Sequence, residues 1–251
     1  MRGTRSIRGG AAALLAVALL AGCEDIGRGG AGPEPDPAAP AAGGTSPLDN
    51  PDGTRAGLAA LPEGRLAEAR SLIEGLAVKG RGPKTGYDRD EFGYAWMDTA
   101  DGVPLARNGC DTRNDLLRLH GRNVRFRDGS DCVVVSMDLH DPYTGKDIVW
   151  RKAKAAEVQI DHVVPLSYSW QLGAARWPED KRRRLANDPL NLLPVDGREN
   201  SAKGDSGPAS WLPPNKAIRC SYAVRFAQVA DAYELPVTGA DKQAMLRWCG
   251  G

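Results

Sequence analysis

The chain has 251 residues, long enough for one domain with its own core beside a leader and a tether. Its 33 Lys and Arg face 32 Asp and Glu, a formal net charge of +1, which excludes a strong global field. Positive charge is clustered instead, in Arg122-Arg125-Arg127, Arg151-Lys152-Lys154 and Lys181-Arg182-Arg183-Arg184. Such clusters suit phosphate contacts, and residues 181–184 equally suit a solvated helix face.

Arg2, Arg5 and Arg8 open the chain, and residues 11–21 are an Ala, Leu and Val run. That run is shorter than the ~20 residues of a membrane-spanning helix and fits the apolar centre of a secretory signal. Leu20-Ala21-Gly22-Cys23 resembles a bacterial lipobox, so residues 1–22 are expected to be removed and Cys23 lipidated. Ordinary cleavage at small residues, giving a secreted protein, is the alternative. More than one acyl chain makes such an anchor stable. Residues 23–62 are rich in Gly, Pro and Ala and poor in large apolar side chains. They read as a disordered tether, and the domain is expected over 63–251.

Within it, Leu66, Ala69, Leu72, Ile73 and Leu76 form a helical stripe over 65–78. Asp111 is placed to cap a helix through Leu116-Leu117. Residues 122–127 and 132–139 read as strands, and Asp141-Pro142-Tyr143-Thr144-Gly145 as a turn before the short strand 148–150. A strand is expected over 157–164, ending at Pro165, then helices over 167–173 and 179–187 and a strand over 190–195. Asn200 opens a polar helical turn. Two helices, 216–233 and 239–249, close the chain, the second with Thr238 and Asp241 as a capping box. The pattern is α+β with several short strands.

Cys23 aside, Cys110, Cys132, Cys220 and Cys249 allow three pairings. The first two flank one helix-plus-strand unit and the last two flank the closing helices, so the local pairing 110–132 and 220–249 is expected. A metal cluster is disfavoured by the absence of C-x2-C and the scarcity of His, and an exported chain favours disulfides.

Asp161 and His162 close the apolar run Val158-Gln159-Ile160, and Asn191, Asn200 and Lys203 follow in the spacing D-H-x28-N-x8-N-x2-K. A carboxylate, an imidazole and a carboxamide that converge can hold a hard cation and activate water, the equipment of metal-dependent phosphodiester hydrolysis. Neighbours on a strand point to opposite faces, so Asp161 and His162 serve one site only where the strand twists or ends. Lys203, three residues after Asn200, shares its helix face. His120 and His140 read as structural or surface. Arg113 reads as a phosphate contact or a partner of Asp111 or a loop carbonyl. Trp170, Trp177 and Trp211 read as core residues before base-stacking ones.

VQIDHVVPLSYSW, ANDPLNLLPV and ENSAKGDSGPASWLPP, with the upstream FGYAWMD, NGCDTRNDLL and CVVVSMDLHDPYTG, carry a resemblance. The segment resembles the ββα-metal fold of HNH nucleases. It is similar in particular to the C-terminal domain of GmrSD-type restriction endonucleases, as found in exported actinobacterial proteins. The resemblance implies a ββα-metal core with additional strands, C-terminal helices and two disulfides. It implies a metal-dependent endonuclease acting on nucleic acid, DNA before RNA, and leaving 5′-phosphate and 3′-hydroxyl ends. His162 would be the general base and Asp161 and Asn200 the oxygen ligands of a divalent metal. Asn191 would tie the loop between the strands, and Lys203 would meet a phosphate or orient water. Asn at position 200, where many HNH proteins have His, favours Mg²⁺, with Mn²⁺ as alternative, over Zn²⁺. The span from His162 to Asn191 is longer than in compact HNH motifs and holds a helical insertion. The rival expectations are an inactive nuclease fold retained as a surface binding module, and a hydrolase of another phosphodiester. Beyond nucleic acid and the membrane, no protein partner is implied.

Overall fold

Alternating burial sets the first sheet. Met137 and Leu139 point inward from β2 (Val134–His140) while Asp138 and His140 point outward, the period-two pattern of a half-buried strand. The computed structural model describes residues 44–250. The expected signal segment, Cys23 and the first half of the expected tether lie outside the described residues.

β2 is the centre of a three-stranded antiparallel sheet, between β1 (Arg122–Phe126) and β3 (Asp147–Arg151). Its register places Met137 opposite Trp150 and Ser136 between Arg125 and Arg151. The inner face packs on α2 (Thr112–His120), burying Leu116, Leu117, Val134, Met137 and Trp150 together. Each such side chain contributes roughly 1.5–3 kcal/mol by area removed from water. α2 starts where expected, because an Asp111 carboxylate oxygen accepts from the Asn114 amide at 2.9 Å.

The second sheet is a pair. β4 (Val158–His162) runs antiparallel to β5 (Leu192–Asp196), with Asp161 opposite Leu193 and His162 opposite Leu192. α5 (Gly197–Lys203) follows β5 directly. Its cap is Asp196, whose carboxylate accepts from the Arg198 and Glu199 amides at 2.8 and 3.1 Å. Asn200 therefore sits inside this helix and does not open it. β4 is shorter than the expected 157–164. Beyond His162 the amides of Val163 and Val164 turn to Asn191, to its carbonyl and its side-chain oxygen, both at 2.8 Å. Between the strands lie α3 (Leu166–Leu172) and α4 (Glu179–Asn187), the expected insertion.

A larger core gathers α1 (Leu66–Gly75), α3, α6 (Arg219–Ala232) and α7 (Gly239–Trp248) around Ile73, Tyr168, Tyr222, Phe226 and Met245. The β4–β5 pair lies between the two cores. Val158, Ile160 and Leu192 join the sheet side, and Leu193 and Val195 join the helical side. Hence the β4–β5 pair is packed on both faces. At the start of α7, Thr238 accepts the Asp241 amide as expected, but the reciprocal bond of a capping box is replaced: the Thr238 amide donates to the Tyr168 hydroxyl at 3.2 Å.

Both disulfides have the local pairing. Cys110–Cys132 joins the approach to α2 to the approach to β2 (Cα–Cα 5.3 Å), and Cys220–Cys249 joins the first turn of α6 to the end of α7 (4.9 Å). Loops of 22 and 29 residues are closed. Each is worth about 3 kcal/mol through the unfolded chain.

The domain boundary at 62/63 needs correction. Residues 44–62 pack on the domain: Leu58 is buried in the helical core, with Leu48 and Leu61 against it. Their backbone groups find distant partners. Gln228 donates to the Pro47 carbonyl at 2.8 Å, and the Gly57 amide donates to His120 Nδ1 at 2.8 Å. Gly53 (φ 74°) approaches the Pro189–Leu190 backbone so closely that a Cβ would lie 2.3 Å from it. A Pro- and Gly-rich composition here encodes a close-fitting strap. Among the described residues no helix is long and apolar enough to cross a membrane.

Candidate active site

Asp161 and His162 end β4, and the strand's alternation separates them. Asp161 points inward and is 4% exposed. Its Oδ1 accepts from Lys203 Nζ at 2.8 Å, and its Oδ2 accepts from the Tyr143 hydroxyl. Lys203 also donates to the His162 carbonyl at 2.7 Å. The lysine and the tyrosine are both fully enclosed. Burial pulls the Lys203 pKa down, with Asp161 opposing it. Burial, then the Asp161 charge, raises the Tyr143 pKa well above its ordinary value, so the phenol stays a donor. Lys203 was expected at a phosphate or at water. Here two of its three hydrogens are committed to β4, and its ammonium is closed off from solvent.

His162 points the other way, into a cleft of about 490 Å³ that Asp161 and Asn200 also line. Its Nε2 meets the Ala186 carbonyl at 3.0 Å, and Trp96 stacks on the ring, centroids 5.9 Å apart. A carbonyl only accepts, so Nε2 carries the hydrogen and Nδ1 keeps its lone pair. Nδ1 has no partner among the described residues. Burial, joined by the charge of Arg89, lowers the His162 pKa to about 4. The imidazole is therefore neutral near pH 7 and presents one free acceptor.

Asn200 stands on α5 facing β4. Its Nδ2 donates to Gln159 Oε1 at 2.8 Å, leaving its oxygen without a partner among the described residues. Asn191 does no chemistry in this arrangement. Its side-chain oxygen accepts from the Val164 amide, and its Nδ2 donates to the carbonyls of Leu185 (3.0 Å) and Val164 (3.3 Å). It ties the insertion to the end of β4, which matches the loop-tying role and leaves nothing for a reacting group.

Arg113 lies away from the cleft, donating to the Val158 carbonyl at 3.1 Å at the start of β4. Lys181 through Arg184 are each paired with a carboxylate, on Glu234, Glu91, Glu179 and Asp180 respectively. That run is a salt-bridged helix face. Trp170 is buried in the core, and Trp177 and Trp211 pack partly buried against it. His120 is buried under the strap, and His140 is a surface partner of Asp147.

Four contributors escaped the sequence reading: Tyr143, Trp96, Arg89 and the Ala186 carbonyl. Tyr143 sits in a segment that reads as turn, and a backbone carbonyl leaves no side-chain signal. Trp96 stood in the quoted FGYAWMD text, whose aromatic was the available clue.

The family model described as GmrSD restriction endonucleases, C-terminal domain, matches residues 111–248, more than half of the chain. A protein of Arthroderma benhamiae described as an uncharacterized secreted protein is 42% identical over 179 residues, which is 70% of this chain and 81% of the relative. No solved structure matches the chain.

Proposed function

As the chain belongs to the family of GmrSD restriction endonuclease C-terminal domains, we propose that it is a metal-dependent endonuclease with His162 as general base. The observation that carries this reading is the divided imidazole. Nε2 is fixed by the Ala186 carbonyl, Nδ1 has no partner among the described residues, and His162 lines the cleft with Asp161 and Asn200. A neutral, oriented imidazole can take a proton from water attacking phosphorus.

The donor set fits a hard divalent ion. Among the described residues no group of three or more His, Cys, Asp or Glu converges, which disfavours a protein-enclosed Zn²⁺. Asp161 and the free Asn200 oxygen offer two hard donors on one cleft, and each carboxylate oxygen keeps a second lone pair after the bonds from Lys203 and Tyr143. Mg²⁺ is commonly held by one or two protein oxygens, water and substrate phosphate, so Asp161 and Asn200 would hold Mg²⁺ or Mn²⁺. When bound, the ion would stabilise charge on the leaving 3′-oxygen. Lys203 and Tyr143 hold the Asp161 carboxylate in place. Gln159 turns the Asn200 oxygen outward, and Trp96 holds the imidazole plane.

In this reading the strand–strand–helix unit of β4, β5 and α5 is the ββα-metal core. The substrate is DNA, with 5′-phosphate and 3′-hydroxyl products. The test is nicking of supercoiled plasmid with Mg²⁺ and in EDTA. Nicking that stops in EDTA supports the reading. Binding without cleavage at any metal concentration favours the binding-module alternative. Cleavage of RNA or a small phosphodiester alone would move the substrate class.

The same proposal includes export and attachment through Cys23. Its supports are the lipobox-like LAGC, the two disulfides and the relative described as secreted. Intact-mass analysis of the membrane fraction should give a diacylated or triacylated Cys23. An unmodified Cys23 there would reject the anchor.

A further inference from the structure

The cleft does not balance its charges. Four charged side chains line it: Lys84, Arg89, Asp161 and Asp205. Asp205 is paired with Lys84 at 3.3 Å, and Asp161 with Lys203 at 2.8 Å. Arg89 is left over. Its Nη1 is buried and has no hydrogen-bond partner among the described residues. The carboxylates beside it in sequence do not serve it. Asp88 caps the short helical turn Arg89–Phe92 by accepting from the Asp90 amide at 2.9 Å, and Asp90 reaches the guanidinium only through its field.

The turn that carries Arg89 is nevertheless fixed. Arg182 of α4 donates to the Glu91 carbonyl at 2.7 Å and to its carboxylate at 3.1 Å. Phe92 is fully buried, and Tyr87 packs on it and on Trp170. A half-buried guanidinium on a fixed support, with no paired carboxylate among the described residues, is costly in the free protein. Its five donors in a planar fork match the oxygens of a phosphate.

We propose that Arg89 is the phosphate-binding residue of this cleft, receiving a backbone phosphate of the nucleic-acid strand beside His162. This rests on the nuclease reading for the identity of the ligand. The residue lies upstream of the matched segment 111–248, so it belongs to the part of the chain that wraps the cleft from outside the family match.

The test is binding without turnover. His162→Ala protein is titrated with a short labelled DNA duplex over a range of salt concentrations, alone and combined with Arg89→Gln or Arg89→Lys. Arg89→Gln should weaken binding about 10- to 100-fold, the value of one charge-assisted bond. It should also lower the slope of log affinity against log salt by about one. Arg89→Lys should keep the slope and part of the affinity. Neither change should lower the thermal midpoint, because an unpaired charge is removed or conserved. Unchanged affinity and slope in Arg89→Gln would overturn the proposal, as would the absence of duplex binding. A lowered midpoint with unchanged binding would assign Arg89 to the fold. The two readings fail separately. If the parent protein never cleaves but duplex binding depends on Arg89 as described, the nuclease reading falls and the phosphate site stands. If the parent cleaves and Arg89→Gln binds equally well, the phosphate site falls alone.

Discussion

Asp161 and His162 are one residue apart and have opposite surroundings. Asp161 is closed: each oxygen has a partner, a lysine on one and a phenol on the other, and solvent barely reaches it. His162 keeps a free position: one nitrogen is held by the Ala186 carbonyl, the other has no partner among the described residues, and the residue lines the cleft. The strand makes this split without special geometry, because neighbours on β4 leave on opposite faces. The comparison teaches how a small domain keeps a reactive group beside its core. The charge is held from the inside by Lys203 and Tyr143, while the neutral base, the Asn200 oxygen and the second lone pairs of the Asp161 carboxylate keep capacity for a ligand.

The closed side is the one that should break most visibly. Lys203→Met leaves the Asp161 carboxylate buried with its ammonium partner gone and should cost about 3–5 kcal/mol in denaturant unfolding. Combining it with Asp161→Leu should recover most of that loss. A single-variant cost below about 1 kcal/mol would mean that the pair is not locked. Tyr143→Phe removes one bond to the charged oxygen and should cost less, about 1.5–3 kcal/mol in the same measurement. If it is neutral, Oδ2 has another partner in solution.

The open side should show itself through pH. The folded pKa of His162 is depressed to about 4 from an ordinary 6.5, so below pH 6.5 the unfolded chain takes up a proton that the folded chain refuses. Its contribution to stability is complete above pH 6.5 and is lost as pH falls towards 4. His120, buried under the strap and depressed to about 3, adds a slope of the same sign. His162→Gln should flatten the fall in unfolding free energy between pH 6 and pH 5 by part of one proton. An identical pH slope would show that His162 titrates normally in the folded protein. The smallest effect expected is at Arg113, where Arg113→Lys should leave duplex binding unchanged and cost only about 1 kcal/mol, through its bond to the Val158 carbonyl.

Much of this was legible in the sequence where the signal is local. Asp111 marked the cap of α2 and the flanking positions of the four cysteines their pairing, whereas β4, expected to run to 164 before Pro165, stops at His162. The spacing singled out Asp161, His162, Asn191, Asn200 and Lys203, and the fold gathers all five around β4. What the spacing could not tell was direction: it gave Lys203 a face shared with Asn200 but not its burial against Asp161. Partners far along the chain were lost for the same reason. Tyr143 reaches Asp161 from a turn, Arg89 reaches the cleft from a charged segment, and the strap at 44–62 looks like tether because its bonding partners, Gln228 and His120, are remote. Composition reports whether a segment can bury its own surface. It does not report that a neighbouring helix will complete it.

The central claim is that His162, neutral and held by the Ala186 carbonyl, takes the proton from the attacking water. Single-turnover cleavage of plasmid by His162→Ala, at saturating Mg²⁺ and with folding verified by its thermal midpoint, tests it directly. The account predicts a rate about 10²- to 10⁴-fold below the parent with duplex binding retained. A His162→Ala protein that cleaves as fast as the parent would contradict it.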